Sequence, residues 1–261
     1  MYIIGERING MFVDVRKAIQ EKDAAVIKDL AQRQQAAAAN ALDCNVGPAA
    51  ADAVGSMRWL VECIREASDL PIALDSTKPD AIRAGLEICG SNAIINSTTG
   101  EQKKMDILFP MAAEFGCKII GLTIDEQGVP AMADGRLQVA LKLVMGAMTS
   151  GVPLENLFVD AVILPVSAMA QNPVEVMKAI QQTKALADPP PKTIIGLSNV
   201  SQNAANRELI NRTYLTMGQA VGLDAAIADP LDTELMDAMI TGELLLNRMV
   251  YCDDFLRAYR K

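Results

Sequence analysis

The chain has 261 residues and is 51% hydrophobic, enough to bury a large core, and its length is near that of a (β/α)8 barrel, about 250 residues. The formal net charge is −8 with no basic stripe, which argues against nucleic-acid binding. The absence of histidine excludes histidine metal sites and histidine general bases.

Apolar, β-rich runs alternate with longer helical patterns from end to end. The predicted strands are Tyr2–Ile4, Ala41–Val46, Ile72–Leu74, Ala93–Ile95, Lys118–Leu122, Leu157–Leu164, Thr193–Leu197 and Ala225–Ala228. Between them, Ala24–Ala41, Met105–Phe115 and Val174–Leu186 carry apolar residues at helical spacing. Strict alternation implies parallel strands joined by right-handed crossovers. Eight such units predict one closed (β/α)8 TIM barrel spanning residues 1–261 as a single domain. An open doubly wound sheet is the alternative, but the GxGxxG fingerprint that often marks one is absent. The Asp188-Pro189-Pro190-Pro191 run ends a helix just before a strand and reads as a rigid turn. A last helix over Leu231–Asn247 is followed by an apolar tail, Val250–Tyr259, expected to pack on the barrel.

The five cysteines (Cys44, Cys63, Cys89, Cys117 and Cys252) are odd in number and widely spaced, which speaks against a disulfide framework or a zinc site. No metal ligand set is expected. The N-terminus lacks the layout of a signal peptide, and no apolar run reaches the roughly 20 residues of a membrane span. A cytoplasmic protein is expected.

The informative residues stand at the strand ends. Glu6, Arg7 and Asn9 come after the first strand; Asp43 and Asn45 lie at the second; Asp75, Ser76 and Thr77 at the third; Asn96, Ser97 and Thr98 at the fourth. Thr123 comes after the fifth, Asp160 lies within the sixth, Ser198 and Asn199 end the seventh, and Asp229 ends the eighth. In a barrel these ends share the face where active sites sit. Each polar end has a plainer reading as a helix N-cap, to which Asp80 and Asp125 are open. For Asp160 the plainer reading is a buried carboxylate bonded to a neighbouring strand. A set rich in Asp and Asn, without a Gly-rich phosphate loop, suits a flat heterocycle with N–H donors and ring acceptors. A carboxylate accepts two parallel N–H bonds, and an amide both donates and accepts. A pterin ring presents such an edge.

Five stretches carry a resemblance: Ile4-Gly5-Glu6-Arg7-Ile8-Asn9-Gly10, Leu42-Asp43-Cys44-Asn45-Val46-Gly47-Pro48, Leu74-Asp75-Ser76-Thr77, Ile95-Asn96-Ser97-Thr98 and Gly196-Leu197-Ser198-Asn199-Val200-Ser201-Gln202-Asn203. Over essentially its whole length the chain resembles the methyltetrahydrofolate:corrinoid/iron–sulfur protein methyltransferases of the reductive acetyl-CoA pathway, within the pterin-binding family. The shorter pieces are common to all pterin-binding barrels; the seventh-strand stretch, with Arg207 and Leu209-Ile210-Asn211-Arg212 after it, is more specific. The resemblance implies that Asp75, Asn96 and Asp160 hold the pterin ring. It implies that Asn199 bonds the N5 region as the main catalytic residue, with Ser198, Gln202 and Arg207 lining the site. It further implies 5-methyltetrahydrofolate as methyl donor, the Co(I) centre of a corrinoid/iron–sulfur protein as acceptor and partner, and a homodimer. A dihydropteroate-synthase-like enzyme, a corrinoid methyltransferase with another donor, and a non-catalytic folate-binding barrel are the alternatives. The apolar surplus of Met236–Leu246 is the candidate dimer surface, with packing onto the barrel as its other reading.

Overall fold

The computed structural model describes residues 1–47 and 52–249. Eight parallel strands close on themselves in chain order. They are β1 (Tyr2–Gly5), β2 (Ala41–Asn45), β3 (Ile72–Asp75), β4 (Ala93–Thr99), β5 (Lys118–Leu122), β6 (Leu157–Asp160), β7 (Lys192–Gly196) and β8 (Ala225–Ala228). β1 pairs with both β2 and β8, which closes the barrel. Helices α1 (Val13–Glu21) and α2 (Ala24–Ala36) follow β1, and α3 (Ala53–Arg65), α4 (Pro79–Cys89), α5 (Gln102–Phe115) and α6 (Ala133–Thr149) follow β2 to β5. Then α7 (Asn172–Thr183), α8 (Arg207–Ala220) and α9 (Thr233–Leu245) follow β6 to β8. The open doubly wound alternative is therefore excluded.

Strand residues alternate between two environments, as a period of two requires. Leu42, Cys44, Leu74 and Ile95 face the helices. Ile4, Ala41, Ala73, Ile94, Ile120, Phe158, Ile194 and Ala225 fill the barrel interior. Two residues further along each strand, the same inward direction brings Glu6, Asp43, Asp75, Asn96, Leu122, Asp160, Gly196 and Ile227. The apolar plug thus gives way to a polar layer at the C-terminal mouth. Gly5 is required for space: a Cβ there would collide with Gln34 Oε1, which accepts the Arg7 backbone N–H at 3.0 Å. That bond ties the loop after β1 to α2.

Several expected boundaries shift. β6 ends at Asp160 and not at Leu164. The Asp160 carboxylate accepts the N–H of Val162 at 2.7 Å, and Val162 has φ 58, so the chain turns out of the sheet. α2 ends at Ala36, short of Ala41; α7 ends at Thr183, short of Leu186 and of the proline run. β7 stops at Gly196, and Leu197–Asn199 form a 3-10 turn, so Asn199 does not end the strand directly. α9 uses most of its apolar surplus internally: Leu235, Met236 and Met239 are buried, and Leu245 and Leu246 are exposed. A larger exposed apolar set lies on α5 and α6, with Ile107, Leu141, Met145 and Met148. Cys44, Cys63, Cys89 and Cys117 are free thiols. Cys252 and the Val250–Tyr259 tail, like Pro48, lie outside the described residues. No helix among the described residues is long and apolar enough to cross a membrane.

Candidate functional site

The polar mouth is built by register. Asn45 stands level with Asp75, and Asp75 with Asn96, across three adjoining strands. β4 has a register shift between Asn96 and Thr98, which lets the strand run on to Thr99 while Asn96 stays in the inward layer. Asp160 pairs with Leu122 on one side and Ile194 on the other.

These side chains are tied to each other. Asn45 Nδ2 donates to Asp75 Oδ2 at 2.6 Å, and Asn45 Oδ1 accepts from the Gly47 N–H at 2.6 Å. Asn96 Nδ2 donates to Asp43 Oδ1 at 3.0 Å. With one amide hydrogen bond made, each Asp keeps lone pairs for a further donor. Burial raises the pKa of Asp43, with the nearby Asp75 adding to it, and burial raises that of Asp75. Burial also pushes Asp160 up to about 7, against the pull of the Val162 N–H and the Arg136 guanidinium. Carboxyl groups this buried hold negative charge reluctantly.

Two cavities at this end of the barrel share the lining residue Met11. One, of about 410 Å³, is lined by Asn45, Gly47, Asp75, Thr77 and Lys78 among others. The other, of about 670 Å³, is lined by Glu6, Asn9, Ser198, Asn199, Gln202, Arg207 and Asp229 among others. The sequence-derived residues therefore fall in two groups. Asn96 and Asp160 are buried in the mouth, and Asp75 stands at the edge of the smaller cavity. Ser198, Asn199, Gln202 and Arg207 converge on the larger one.

The loop after β7 holds the second group. Arg207 opens α8; its Nε donates to Ser201 Oγ at 3.2 Å and its Nη2 to the Ser198 carbonyl at 3.2 Å. Gln202 is exposed, and its carbonyl accepts from Ser167 Oγ at 2.9 Å. Asn199 is exposed toward the cavity. It caps no helix, because α8 starts at Arg207 with Asn206 at the cap position. Of the two plain cap candidates, Asp80 sits in the first turn of α4, and Asp125 accepts the Gln127 N–H in its own turn.

Glu6, named from the sequence only as a polar strand end, and Arg136, not singled out there, gain importance in the fold. Ser198 Oγ donates to Glu6 Oε1 at 2.7 Å, joining the first strand end to the seventh. Burial pushes Glu6 up to about 7; Ser198, Arg207 and Arg7 oppose that rise, and Asp229 adds to it. Arg136 lies fully buried on α6, its Nε donating to the Pro130 carbonyl at 2.9 Å. Burial lowers its pKa, and Tyr214, Glu175 and Asp160 counter this. A visible signal existed: Arg136 occupies the buried stripe of Ala133, Val139, Ala140, Leu143 and Ala147, where a charge is costly without an anion nearby. Among the described residues no group of three or more His, Cys, Asp or Glu is placed to hold a metal ion.

A closed barrel whose C-terminal mouth carries convergent Asp, Asn and Ser side chains over an apolar plug is the architecture of a small-molecule site. A family model described as pterin binding enzyme matches residues 11–229, and the chain belongs to that family. The methylcorrinoid:tetrahydrofolate methyltransferase of Eubacterium limosum is 29% identical over 263 residues, covering 100% of this chain and 97% of the relative. The methionine synthase of Mycobacterium tuberculosis is 31% identical over 238 residues, covering 86% of this chain and 20% of that longer protein. Among solved structures, Yersinia pestis DHPS with a pterine-sulfa conjugate aligns with a TM-score of 0.68 at 15% identity, covering 94% of each chain. That likeness speaks for the fold alone.

Proposed function

We propose that residues 1–261 act as one pterin-binding barrel that moves a methyl group between N5 of 5-methyltetrahydrofolate and the cobalt of a corrinoid. The corrinoid is a substrate, carried by a separate corrinoid/iron–sulfur protein, and the setting is the reductive acetyl-CoA pathway in the cytoplasm. The enzyme works as a homodimer. The observation that supports this reading is the set of polar side chains at one barrel mouth, with Asn96 and Asp160 buried there, Asp75 at the smaller cavity and Asn199 at the larger. Full-length similarity to a methylcorrinoid:tetrahydrofolate methyltransferase supports it.

The roles follow from bonding capacity. Asp75 and Asp160 accept N–H groups of the pterin edge, and Asn96 both donates and accepts. Methyl loss from N5 requires that nitrogen to gain positive character, because an amine anion is a poor leaving group. The Asn199 amide donates to the electron pair left on N5 as the methyl departs, a bond made chiefly in the transition state; such a bond is worth roughly 3–4 kcal/mol at best. Alignment of N5, methyl and cobalt supplies the rest. A dihydropteroate synthase handles a pyrophosphate leaving group, which calls for clustered cations. The larger cavity has the opposite balance: Arg207 stands among Glu6, Glu208, Asp229 and Asp232.

Mixing the protein with 5-methyltetrahydrofolate and a Co(I) corrinoid tests the reading. Loss of the Co(I) absorption with growth of methyl-cobalt is expected. A chain that binds the folate and leaves Co(I) intact would be a folate-binding barrel instead.

A further inference from the structure

We propose that Glu6 is the acid that delivers the proton to N5 as the methyl group leaves, and the base that removes it in the reverse reaction. This deepens the methyltransferase reading and rests on it. The geometry points to Glu6 in three ways. It lines the same cavity as Asn199. Its Oε1 accepts from Ser198 Oγ at 2.7 Å, and Ser198 precedes Asn199 in the same 3-10 turn, so one turn carries the amide and holds the acid. The bond at Oε1 leaves Oε2 to carry the proton.

Other carboxyls around the mouth, Glu208 apart, are bonded within their own turns or lie away from this cavity; Asp160 accepts the Val162 N–H and lines neither cavity. Asp229 Oδ1 accepts the Leu231 N–H at 3.0 Å, and Asp232 Oδ1 caps α9 through Leu235 at 3.0 Å. Asp43 is buried against Asn96, and Asp75 is bonded to Asn45 beside the other cavity. Glu208 is exposed on α8. The chain has no histidine, and the described lining of this cavity holds no lysine, tyrosine or cysteine, so a carboxyl is the side-chain acid it offers.

The step balances. The O–H bond of Glu6 breaks and an N5–H bond forms. The electron pair of the N5–methyl bond stays on nitrogen, and Co(I) supplies the pair for the new cobalt–carbon bond. The Glu6 carboxylate left behind is stabilised by the Ser198 hydroxyl and by the charges of Arg207 and Arg7, and it is opposed by Asp229; Glu6 in turn acts on Asp43. Solvent in the cavity returns the proton. A carboxyl that titrates at about 7 can serve both directions near neutral pH, since general acids work best near the operating pH.

The test is single-turnover stopped-flow of Co(I) decay with saturating 5-methyltetrahydrofolate across pH 5.5 to 8.5. Wild type is expected to slow as pH rises through about 7, where Glu6 loses its proton. Glu6→Gln keeps an acceptor for Ser198; at pH 6 its rate should fall roughly 10²-fold, its inflection near neutral should vanish, and its folate dissociation constant should stay within about twofold. Ser198→Ala removes a bond that lowers the Glu6 pKa, so its inflection should move to higher pH. A Glu6→Gln enzyme with the wild-type rate and pH profile would overturn the assignment. So would an equal loss at every pH with the inflection kept, which marks a positioning group. Should Glu6→Gln not fold, an unmoved inflection in Ser198→Ala overturns the assignment by itself. If wild type transfers no methyl group, the methyltransferase reading falls and this proposal with it; if only the variant result fails, the reading stands.

Discussion

Asn45 donates its side-chain amide to Asp75 Oδ2 across two adjoining strands, over 2.6 Å, while its own carbonyl oxygen is held by the Gly47 N–H. The carboxylate is thereby aimed before any ligand arrives. Asn45→Ala should leave Asp75 present but unaimed. Folate affinity should drop by about 0.5–1.5 kcal/mol, the net worth of one hydrogen bond. Calorimetry on the variant checks this, and an unchanged affinity would place Asn45 outside the recognition network.

Direct loss of a pterin contact should be more severe. Asp75→Ala, Asn96→Ala and Asp160→Ala should each weaken folate binding by about 1–3 kcal/mol, because ligand groups are left unpaired in a dry site. Titration calorimetry of the three variants gives the comparison. Wild-type affinity in all three would remove the pterin assignment.

Asp160 also predicts a pH-dependent stability. Its folded pKa is raised from 3.8 to about 7 by burial. Below 3.8 it is protonated in both states and its contribution is fully present. Between 3.8 and about 7 the unfolded chain releases the proton and the folded chain keeps it, so stability falls as pH rises through that window and levels off above it. Asp160→Asn carries no charge and should escape the loss. Relative to wild type it should gain roughly 4 kcal/mol between pH 4 and pH 8, since nearly three tenfold steps of proton affinity separate the two states across that window and each is worth about 1.4 kcal/mol. Chemical denaturation at both pH values measures it, and a constant difference between variant and wild type would contradict the assignment.

The strand count, the closed barrel and the position of the polar mouth were legible in the sequence because each rests on a local pattern. β-rich runs and helical periodicity mark the alternation, and the Asp or Asn at most strand ends marks the C-terminal face. The features that were not legible depend on contacts far apart in the chain. The bond between Ser198 and Glu6 spans 192 positions, and no local pattern announces it. The end of β6 was missed because Ala161-Val162-Ile163-Leu164 is apolar enough to continue a strand, while the turn is made by Asp160 accepting from Val162. Arg136 was legible in principle as a charge on an apolar helical stripe, though its proximity to Asp160 was not.

Assembly is open to a simple measurement. A homodimer is expected, and sedimentation at micromolar concentration should return twice the chain mass. A monomer would remove the homodimer from the account. α9 offers less exposed apolar surface than its sequence suggested, with Leu245 and Leu246 outside and Met236 and Met239 inside. Substitution of Leu245 alone is therefore expected to leave the sedimentation behaviour unchanged.

The central claim is that the mouth of this barrel transfers a methyl group at the place marked by Asn199. Single-turnover stopped-flow with saturating 5-methyltetrahydrofolate and a Co(I) corrinoid partner, comparing wild type with Asn199→Ala, tests it most directly. If the amide stabilises charge at N5 in the transition state, the transfer rate should fall roughly 10²-fold or more while bound folate is retained, since one preorganised donor carries about that much. A wild-type transfer rate in Asn199→Ala, with any loss confined to folate affinity, would contradict the account.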